Sequence, residues 1–303
     1  MVRLSPFAYR PVQTLDAIPT LNLRDVRRRF DAAAATFDGA DFVHAVTRDG
    51  LFTRLEPLLL EANNILDLGS ATSSAAASLR KRFRRAHIVS LDISRNMLRA
   101  GRQKQPRFSL SRSSYIQANA SSLPFADQSM DFVFSNLLLP CVSDPSHVFR
   151  EVARVLRKDG VFAFSTLGPD SLLEIARAWR TVDRHPHVNQ FLDMHDIGDA
   201  IVGSGLRDPV LDVDRLSVTY DDPATLFADL THVGARNALQ QRNRSLAGKK
   251  QFAAMKHALT AADADDSIKL NLELVYGHCW GGGAKASPAD YRIDASRISL
   301  RRG

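Results

Sequence analysis

The chain has 303 residues, of which 45% are hydrophobic, and it carries a formal net charge of +7 at pH 7. This length allows one large domain, alone or with a lid, to bury a full core. No apolar stretch reaches the roughly 18 residues that a membrane-spanning helix needs. The two cysteines, Cys141 and Cys279, lie in separate segments without metal-ligand spacing, which argues against a disulfide framework or a metal site.

The N-terminal segment 1–20 has neither the uninterrupted apolar core nor the small-residue cleavage site of a secretory signal. Asp16 is its only acidic residue, so a mitochondrial presequence is also compatible with it. We treat 1–20 as a candidate disordered terminus and 281–303, which begins with three glycines, as a flexible tail. The cysteine usage favours a cytoplasmic location.

The positive charge is concentrated in three stretches, 24–29, 80–85 and 242–250. An excess of cations favours an acidic partner. The run 80–85 is equally typical of a helix end, where cations complement the helix dipole. No zinc finger or RNA-binding aromatic signature accompanies the charges, so we expect no nucleic-acid partner and no membrane partner.

In chain order, two N-terminal helices come first, at 23–35 and 42–60, with Asp41 as a candidate N-cap of the second. Strands and helices then alternate. The predicted strands are 65–68, 88–92, 115–117, 132–135 and 161–166, and the predicted helices are 73–84, 94–103, 145–156 and one containing 174–180. Strands separated by helical patterns indicate βαβ units and a parallel sheet.

After residue 185 the pattern changes. Helices are predicted at 194–203, 224–234 and 251–261, strands at 209–220 and 268–276, and a basic loop at 240–250. The long stretch between the two late strands, about 222–262, is predicted to be a helical lid. The fold class is therefore α/β, with a doubly wound, mostly parallel seven-stranded sheet in a domain over 21–280, preceded by N-terminal helices.

The most informative segment closes the first strand of this sheet. Asp67 and Gly69 lead into a loop of small residues before a helix, which is typical of a nucleotide-cofactor cradle, because small side chains let a ligand approach the backbone. Asp92 ends the second strand, where a carboxylate can accept hydrogen bonds from a ribose diol. The same residues also have a purely structural interpretation. Asp67 and Gly69 would form a strand-to-helix turn, and Asp92 would be the N-cap of the helix at 94–103, although Ser94 already fills that position.

Three further candidates for ligand contact come after later strands: Asn119, the segment 123–125 and Asn136. Asn119 is placed to meet an adenine amino group, and the segment 123–125 would form an apolar wall nearby or simply belong to the core. Asn136 lies at the carboxyl end of the fourth strand, beside the expected reaction site. There its side chain would either contact a ligand or form hydrogen bonds with backbone groups of the loop. No nucleophile-and-base motif appears, and transfer of a group to an already ionised oxygen requires only proximity, alignment and exclusion of water. The catalytic residues are therefore left unassigned.

With these residues in view, the chain resembles the class I methyltransferases that use S-adenosylmethionine (SAM), which have a Rossmann-like fold. More narrowly, it resembles the malonyl-[acyl-carrier-protein] O-methyltransferases of the BioC type, from about residue 22 to 280. The narrower match rests on Gly168-Pro169-Asp170, Met194-His195-Asp196 and the segment 234–239. The segments that carry the wider resemblance are 26–38, 64–73, 91–98, 122–136, 149–160, 165–173, 194–206, 229–246 and 275–280.

The resemblance implies that SAM is the cofactor and that the free carboxyl of a malonyl thioester is methylated, an early step of biotin (pimeloyl) synthesis. The implied partner is an acidic acyl-carrier protein, or a coenzyme A thioester. It implies a cation for the malonyl carboxylate, which we assign to Arg236 with His232 nearby. The cofactor-binding residues that it implies are Asp67, Gly69, Ser70, Ala71, Ser73, Asp92, Ile93, Met97, Asn119, Ala120, Asn136 and Leu137.

The sequence departs from the family pattern at several positions. Relatives usually have glycine at the positions of Ala71 and Ser73, aspartate at Asn119, tyrosine at Phe37 and often tryptophan at Cys141. A positive φ at Ala71 would cost about 1 kcal/mol or more.

Three alternatives to the family's activity therefore stand beside it. One is a methyltransferase for another small molecule, and another is a weakly active or inactive protein that binds a partner or assists assembly. The third is a protein-modifying relative, because the family also resembles a mitochondrial complex I assembly factor associated with arginine hydroxylation.

Overall fold

The computed structural model describes residues 20–105, 112–242, 248–261 and 267–282. Its strands are β1 (Asn64–Leu68), β2 (His87–Asp92), β3 (Ser113–Gln117), β4 (Met130–Asn136), β5 (Leu156–Leu167), β6 (Arg207–Tyr220) and β7 (Ile268–Trp280). They form a seven-stranded sheet in the order β3-β2-β1-β4-β5-β7-β6. β7 runs antiparallel to both of its neighbours, and the other pairings are parallel. The predicted mostly parallel, seven-stranded sheet is confirmed.

Ten α-helices lie within the described residues, together with a 3₁₀ turn at Leu139–Cys141. They are α1 (Leu23–Ala33), α2 (Phe37–Ala40), α3 (Phe42–Leu55), α4 (Ala76–Arg82), α5 (Arg95–Gln103), α6 (Pro145–Val155), α7 (Leu173–Arg180), α8 (Met194–Ser204), α9 (Pro223–His232) and α10 (Lys249–Thr260). The sequence patterns missed α2 and the 3₁₀ turn, which are too short to show a helical period.

Helix boundaries differ from the predictions for local reasons. α4 begins three residues later than predicted, because Ser73 has φ 57° and cannot start a right-handed helix. Asp41 stands at the N-cap position of α3, as predicted, but its side chain makes no capping hydrogen bond. The carboxylate lies 3.5 Å from the guanidinium of Arg48 instead. Ser94 does cap α5, since its hydroxyl accepts a hydrogen bond from the Met97 amide.

Apolar side chains fill both faces of the sheet, as a doubly wound fold requires. On one face, Phe149 of α6 and Ile201 of α8 are fully buried in a cluster with strand residues such as Phe162. On the other face, Leu51 of α3 and Leu79 of α4 are buried with strand residues of the opposite orientation. The carboxyl ends of the parallel strands are therefore held between two packed layers and open at one edge.

The N-terminal helices are tied across that edge by polar contacts. The Ser94 hydroxyl donates to Asp31 of α1 at 2.7 Å. Asp38 of α2 accepts from the Thr72 hydroxyl at 2.5 Å and pairs with Lys104 at 2.6 Å. These helices therefore cover the loop after β1 and shape whatever site lies there.

The segment predicted as a lid also packs on the main sheet. Leu226 of α9 and Met255 and Leu259 of α10 are buried against α7 and the start of β7. Within the described ranges, no helix is long and apolar enough to cross a membrane. The predicted terminal segments 1–19 and 283–303, and the middle of the basic loop at 243–247, lie outside the described residues.

Candidate active site

A cavity of about 400 Å³ opens where β1, β2 and β4 end, a size in the range of small-ligand sites. β1 pairs in parallel with both β2 and β4, so residues distant in sequence meet there. Ten of the predicted cofactor-binding residues line it: Asp67, Gly69, Ser70, Ala71, Asp92, Ile93, Asn119, Ala120, Asn136 and Leu137.

Two of the predicted cofactor residues lie outside the wall of this cavity. The hydroxyl of Ser73 faces away and donates to Ser90 at 3.2 Å. Met97 is fully buried and packs with Phe37 and Val233. Met97 stands on the inner face of α5, where packing between helices decides its partners.

Asp67 is the most unusual group in the cavity wall. Its carboxylate is buried, and its Oδ2 atom has no hydrogen-bond partner. Burial, reinforced by the negative charge of Asp92, raises the pKa of Asp67 to about 7, while Arg48 opposes the shift. A buried carboxylate without a partner is costly, and a cationic ligand would remove that cost.

Asp92 is buried as well, but its carboxylate is positioned by backbone amides. Oδ2 accepts from the Ala71 amide at 2.9 Å, and Oδ1 accepts from the Ser94 amide at 2.8 Å. Burial raises the pKa of Asp92 to about 6, although these hydrogen bonds lower it in part. Each oxygen retains a free lone pair, so the carboxylate can accept from two adjacent hydroxyls.

The loop after β1 has left-handed backbone at three positions. Gly69 has φ 73°, and a Cβ added there would lie 2.9 Å from Leu138, so glycine is required. Ala71 and Ser73 have φ 45° and 57°, so the strain foreseen for Ala71 is present. The hydrogen bond from the Ala71 amide to Asp92 helps to hold this conformation.

The two asparagines in the wall are partly committed to the protein. Asn136 donates to the His44 carbonyl at 2.9 Å and accepts from the Ser165 hydroxyl at 2.7 Å, so it fixes α3 to the strand ends. Asn119 accepts from the Ser121 amide at 3.0 Å and keeps its NH₂ group for other contacts. The segment 123–125 is absent from the cavity wall; Leu123 is buried in the core, with Phe125 packed against it, which is the core interpretation left open above.

Sequence reasoning missed two polar cavity residues on α3. Arg48, whose side chain is 16% exposed, is the one cationic side chain among the described residues lining the cavity. His44 lies in contact with the Phe37 ring, with centroids 4.9 Å apart, and its Nδ1 is buried without a partner. Burial and the charge of Arg48 lower the pKa of His44 to about 4, so its imidazole is neutral at physiological pH.

The predicted substrate-binding residues, Arg236 and His232, do not line the first cavity. Arg236 lines a second cavity of about 250 Å³, and His232 lines neither of the two cavities. Arg29 of α1 lines the second cavity too, and its guanidinium donates to the Arg236 carbonyl. The sequence signal for Arg29 was the basic run 24–29, which did not show which cation faces inward.

The second cavity has a cationic wall, and the nearby counterion, Asp25, is shared with other arginines. Within the described ranges, Arg29 and Arg236 form no ion pair, whereas Asp25 is already shared by Arg242 and Arg28. Burial and the neighbouring charges of Arg242 and Arg236 lower the pKa of Arg29, and the charge of Asp25 offsets this only in part. An anion is the ligand that would relieve this repulsion.

The first cavity therefore suits a ligand with three kinds of group. A cationic amine would pair with Asp67, a carboxylate with Arg48, and a vicinal diol with Asp92. His44, Asp67 and Ser70 all line this cavity and all carry buried polar atoms without partners. Native proteins leave few such atoms unpaired, which indicates that the cavity is built for a polar ligand.

Comparison with known proteins agrees with this chemistry. Residues 66–164 match the model of a family described as a methyltransferase domain. A malonyl-[acyl-carrier protein] O-methyltransferase of Laribacter hongkongensis is 40% identical over 266 residues, covering 86% of this chain and 90% of that protein. One from Methylovorus sp. is 37% identical over 281 residues, covering 89% and 95%. The crystal structure of the YcgJ protein from Bacillus subtilis matches with a TM-score of 0.57 and 17% identity, over 77% of this chain and 98% of that one; this likeness shows the fold alone.

Proposed function

Because this chain belongs to the family of malonyl-[acyl-carrier-protein] O-methyltransferases, we propose that it methylates the free carboxylate of a malonyl thioester carried on an acyl-carrier protein. SAM is the methyl donor. In this role the protein serves an early step of biotin synthesis. The observation that carries the proposal is the unpaired, buried carboxylate of Asp67 beside Asp92 in a cavity at the strand ends.

The first cavity presents a complementary group for each end of the cofactor. Asp67 would receive its α-ammonium group and Arg48 its carboxylate, as a matched pair of charges on one wall. Asp92 would accept from the ribose hydroxyls, and Asn119 would meet the adenine. Bound SAM supplies an electrophilic methyl group on a sulfonium.

The acceptor needs little chemical activation. A malonyl carboxylate is ionised at neutral pH, so no side chain has to remove a proton. The protein contributes alignment and exclusion of water. Leu137, Leu138 and Cys141 line the cavity near Asn136, and they form an apolar surface around the proposed site of transfer.

Arg236 remains our proposed partner of the malonyl carboxylate, now together with Arg29. Both line the second cavity, which shares Pro140, Cys141 and other wall residues with the first. An anion that entered from the second cavity would therefore meet two cations before the transfer site. The net charge of +7 would also favour approach of an acidic carrier protein.

The test is to incubate the purified protein with SAM and malonyl-acyl-carrier protein and to detect the methyl ester on the carrier's arm by mass spectrometry. Asp92→Asn, which keeps the shape and removes the charge, should abolish product formation. SAM binding without malonyl methylation would favour another acceptor, including a protein side chain. Absence of SAM binding would favour the alternative of a partner-binding protein.

A further inference from the structure

The second cavity shares part of its wall with the first, and the proposed function leaves most of it unused. Pro140, Cys141 and Leu172 line both cavities. The remaining wall is largely apolar and includes the rings of Trp179, Phe227 and Phe252, which form a connected aromatic surface. A chain lying in the second cavity would therefore end beside residues that also line the first.

One wall of the second cavity contains a stacked pair of rings, those of His187 and Trp179. The ring of His187 stacks on Trp179, with centroids 3.8 Å apart and planes 3° from parallel. Its Nε2 lies 2.9 Å from the carboxylate of Asp183, and this contact lowers the pKa of Asp183 against the effect of burial. The segment that follows His187 along the chain is thus fixed in the wall of the cavity.

Asn189, in that segment, has a hydrogen-bonding capacity that the protein does not use. Its NH₂ group donates to the Pro140 carbonyl at 2.9 Å. Its Oδ1 atom is buried and has no partner, and the residue lines both this cavity and a smaller one of about 30 Å³ beside it. A buried acceptor left unpaired costs stability, so a ligand in this cavity would be expected to bring an N–H donor.

We propose that the second cavity holds the arm of the acyl thioester, a flexible chain of the pantetheine type, and that Asn189 Oδ1 accepts a hydrogen bond from an amide N–H of that arm. This inference rests on the proposed function, because it concerns the carrier end of the same substrate. A malonyl thioester on such an arm would complement each part of the cavity wall. It has an acid at one end for Arg29 and Arg236, a slender apolar chain for the aromatic surface, and an amide donor for Asn189.

Two malonyl thioesters that differ in one atom test the inference. The first is the thioester of N-acetylcysteamine, which carries the amide N–H nearest the sulfur, and the second replaces that N–H by an ester oxygen. Their affinities are measured by calorimetry on protein saturated with S-adenosylhomocysteine, so no turnover is needed. We expect the wild-type protein to bind the amide roughly tenfold more tightly than the ester.

The variants separate this contact from a general effect on folding. Asn189→Ala should reduce the amide-to-ester ratio to about one. Asn189→Asp, which keeps an acceptor and also loses the bond to Pro140, should retain a preference for the amide. Asn237→Ala is the matched control, because Asn237 lines the same cavity but its oxygen already accepts from the Leu239 amide; its ratio should stay at the wild-type value.

A wild-type ratio near one, or a preference that survives in Asn189→Ala, would overturn the inference. Malonyl-coenzyme A and malonyl-acyl-carrier protein share the arm, so Asn189→Ala should lower kcat/KM for both by the same factor. A loss confined to the carrier protein would place Asn189 in protein docking and would also overturn it. If the amide preference is found but malonyl-acyl-carrier protein is not methylated, the proposed function fails while the arm site stands.

Discussion

Asp67 and Asp92 end neighbouring parallel strands and face one cavity, and the charge of Asp92 raises the pKa of Asp67. Both carboxylates have raised pKa values, about 7 and about 6, chiefly because they are buried. The ligand-free protein therefore binds protons in this cavity at pH values where the unfolded chain would have released them.

This relationship predicts the pH dependence of stability. For Asp67 the pKa of about 7 in the folded protein exceeds the ordinary aspartate value of 3.8. Its contribution to stability is therefore fully present below pH 3.8 and is lost as pH rises from there through about 7. Asp67→Asn should flatten that fall in the free energy of unfolding. Urea denaturation of both proteins across this pH range is the measurement, and identical slopes would contradict the prediction.

Cofactor binding should depend on pH in the opposite sense. Because the proposed partner of the SAM ammonium is ionised Asp67, affinity should rise as pH increases through about 7, and binding should release protons below that pH. Calorimetry in two buffers with different ionisation enthalpies measures this release. The released protons should diminish in Asp67→Asn, and an unchanged value would exclude Asp67 as their source.

Substitution of Arg48 is expected to weaken recognition of one group of the cofactor, its carboxylate. Arg48→Gln should weaken SAM binding about tenfold or more, because a charge-assisted contact to the cofactor carboxylate is lost. Decarboxylated SAM is the matched ligand, since it lacks only the group that Arg48 is proposed to bind. The variant should bind the two ligands with similar affinity, and an equal loss for both would indicate a structural role through Asp41.

The cationic wall of the second cavity predicts the effect of Arg29→Gln. We expect KM for the malonyl thioester to rise about tenfold or more, with a smaller effect on kcat. Inhibition by the methyl ester product should be nearly unchanged, because that product lacks the carboxylate. Arg27→Gln is the control on the same helix, since the Arg27 side chain is 58% exposed and exposed ion pairs contribute little.

The strained loop predicts a stabilising substitution. Ala71 has φ 45°, so Ala71→Gly should raise the free energy of unfolding by about 1 kcal/mol and the melting temperature by about 2 °C. Ala75→Gly tests the same change at φ −76°, where glycine should destabilise instead. Shifts of the same sign at both positions would contradict the strain argument.

Local sequence patterns were sufficient to predict the part of the first cavity formed by the ends of β1 and β2. The apolar runs before Asp67 and Asp92 predicted β1 and β2, and the small residues around Gly69 predicted the turn between strand and helix. Ser94 was recognisable as a cap because capping involves residues three apart in sequence. These features depend on short-range physics, so a single sequence expresses them directly.

The orientation of helix side chains was decided by tertiary packing. Arg29 and Arg48 lie on helices whose polar residues all looked alike in sequence, and Met97 looked like a cavity residue although α5 turns it into the core. Which face of a helix meets a cavity depends on how the helix docks on the sheet. That docking involves contacts between residues far apart in the chain.

The unpaired oxygen of Asn189 is a result of the tertiary structure alone. Its NH₂ group binds Pro140, 49 residues away, and only this contact leaves the oxygen buried and unpaired. Likewise, the left-handed φ of Ala71 is held by Asp92 on the neighbouring strand. By itself the sequence determined the class of fold and where the strand-end carboxylates would meet. The long-range contacts decided which cations and which free acceptor line the two cavities, because burial and hydrogen bonding are properties of the assembled core.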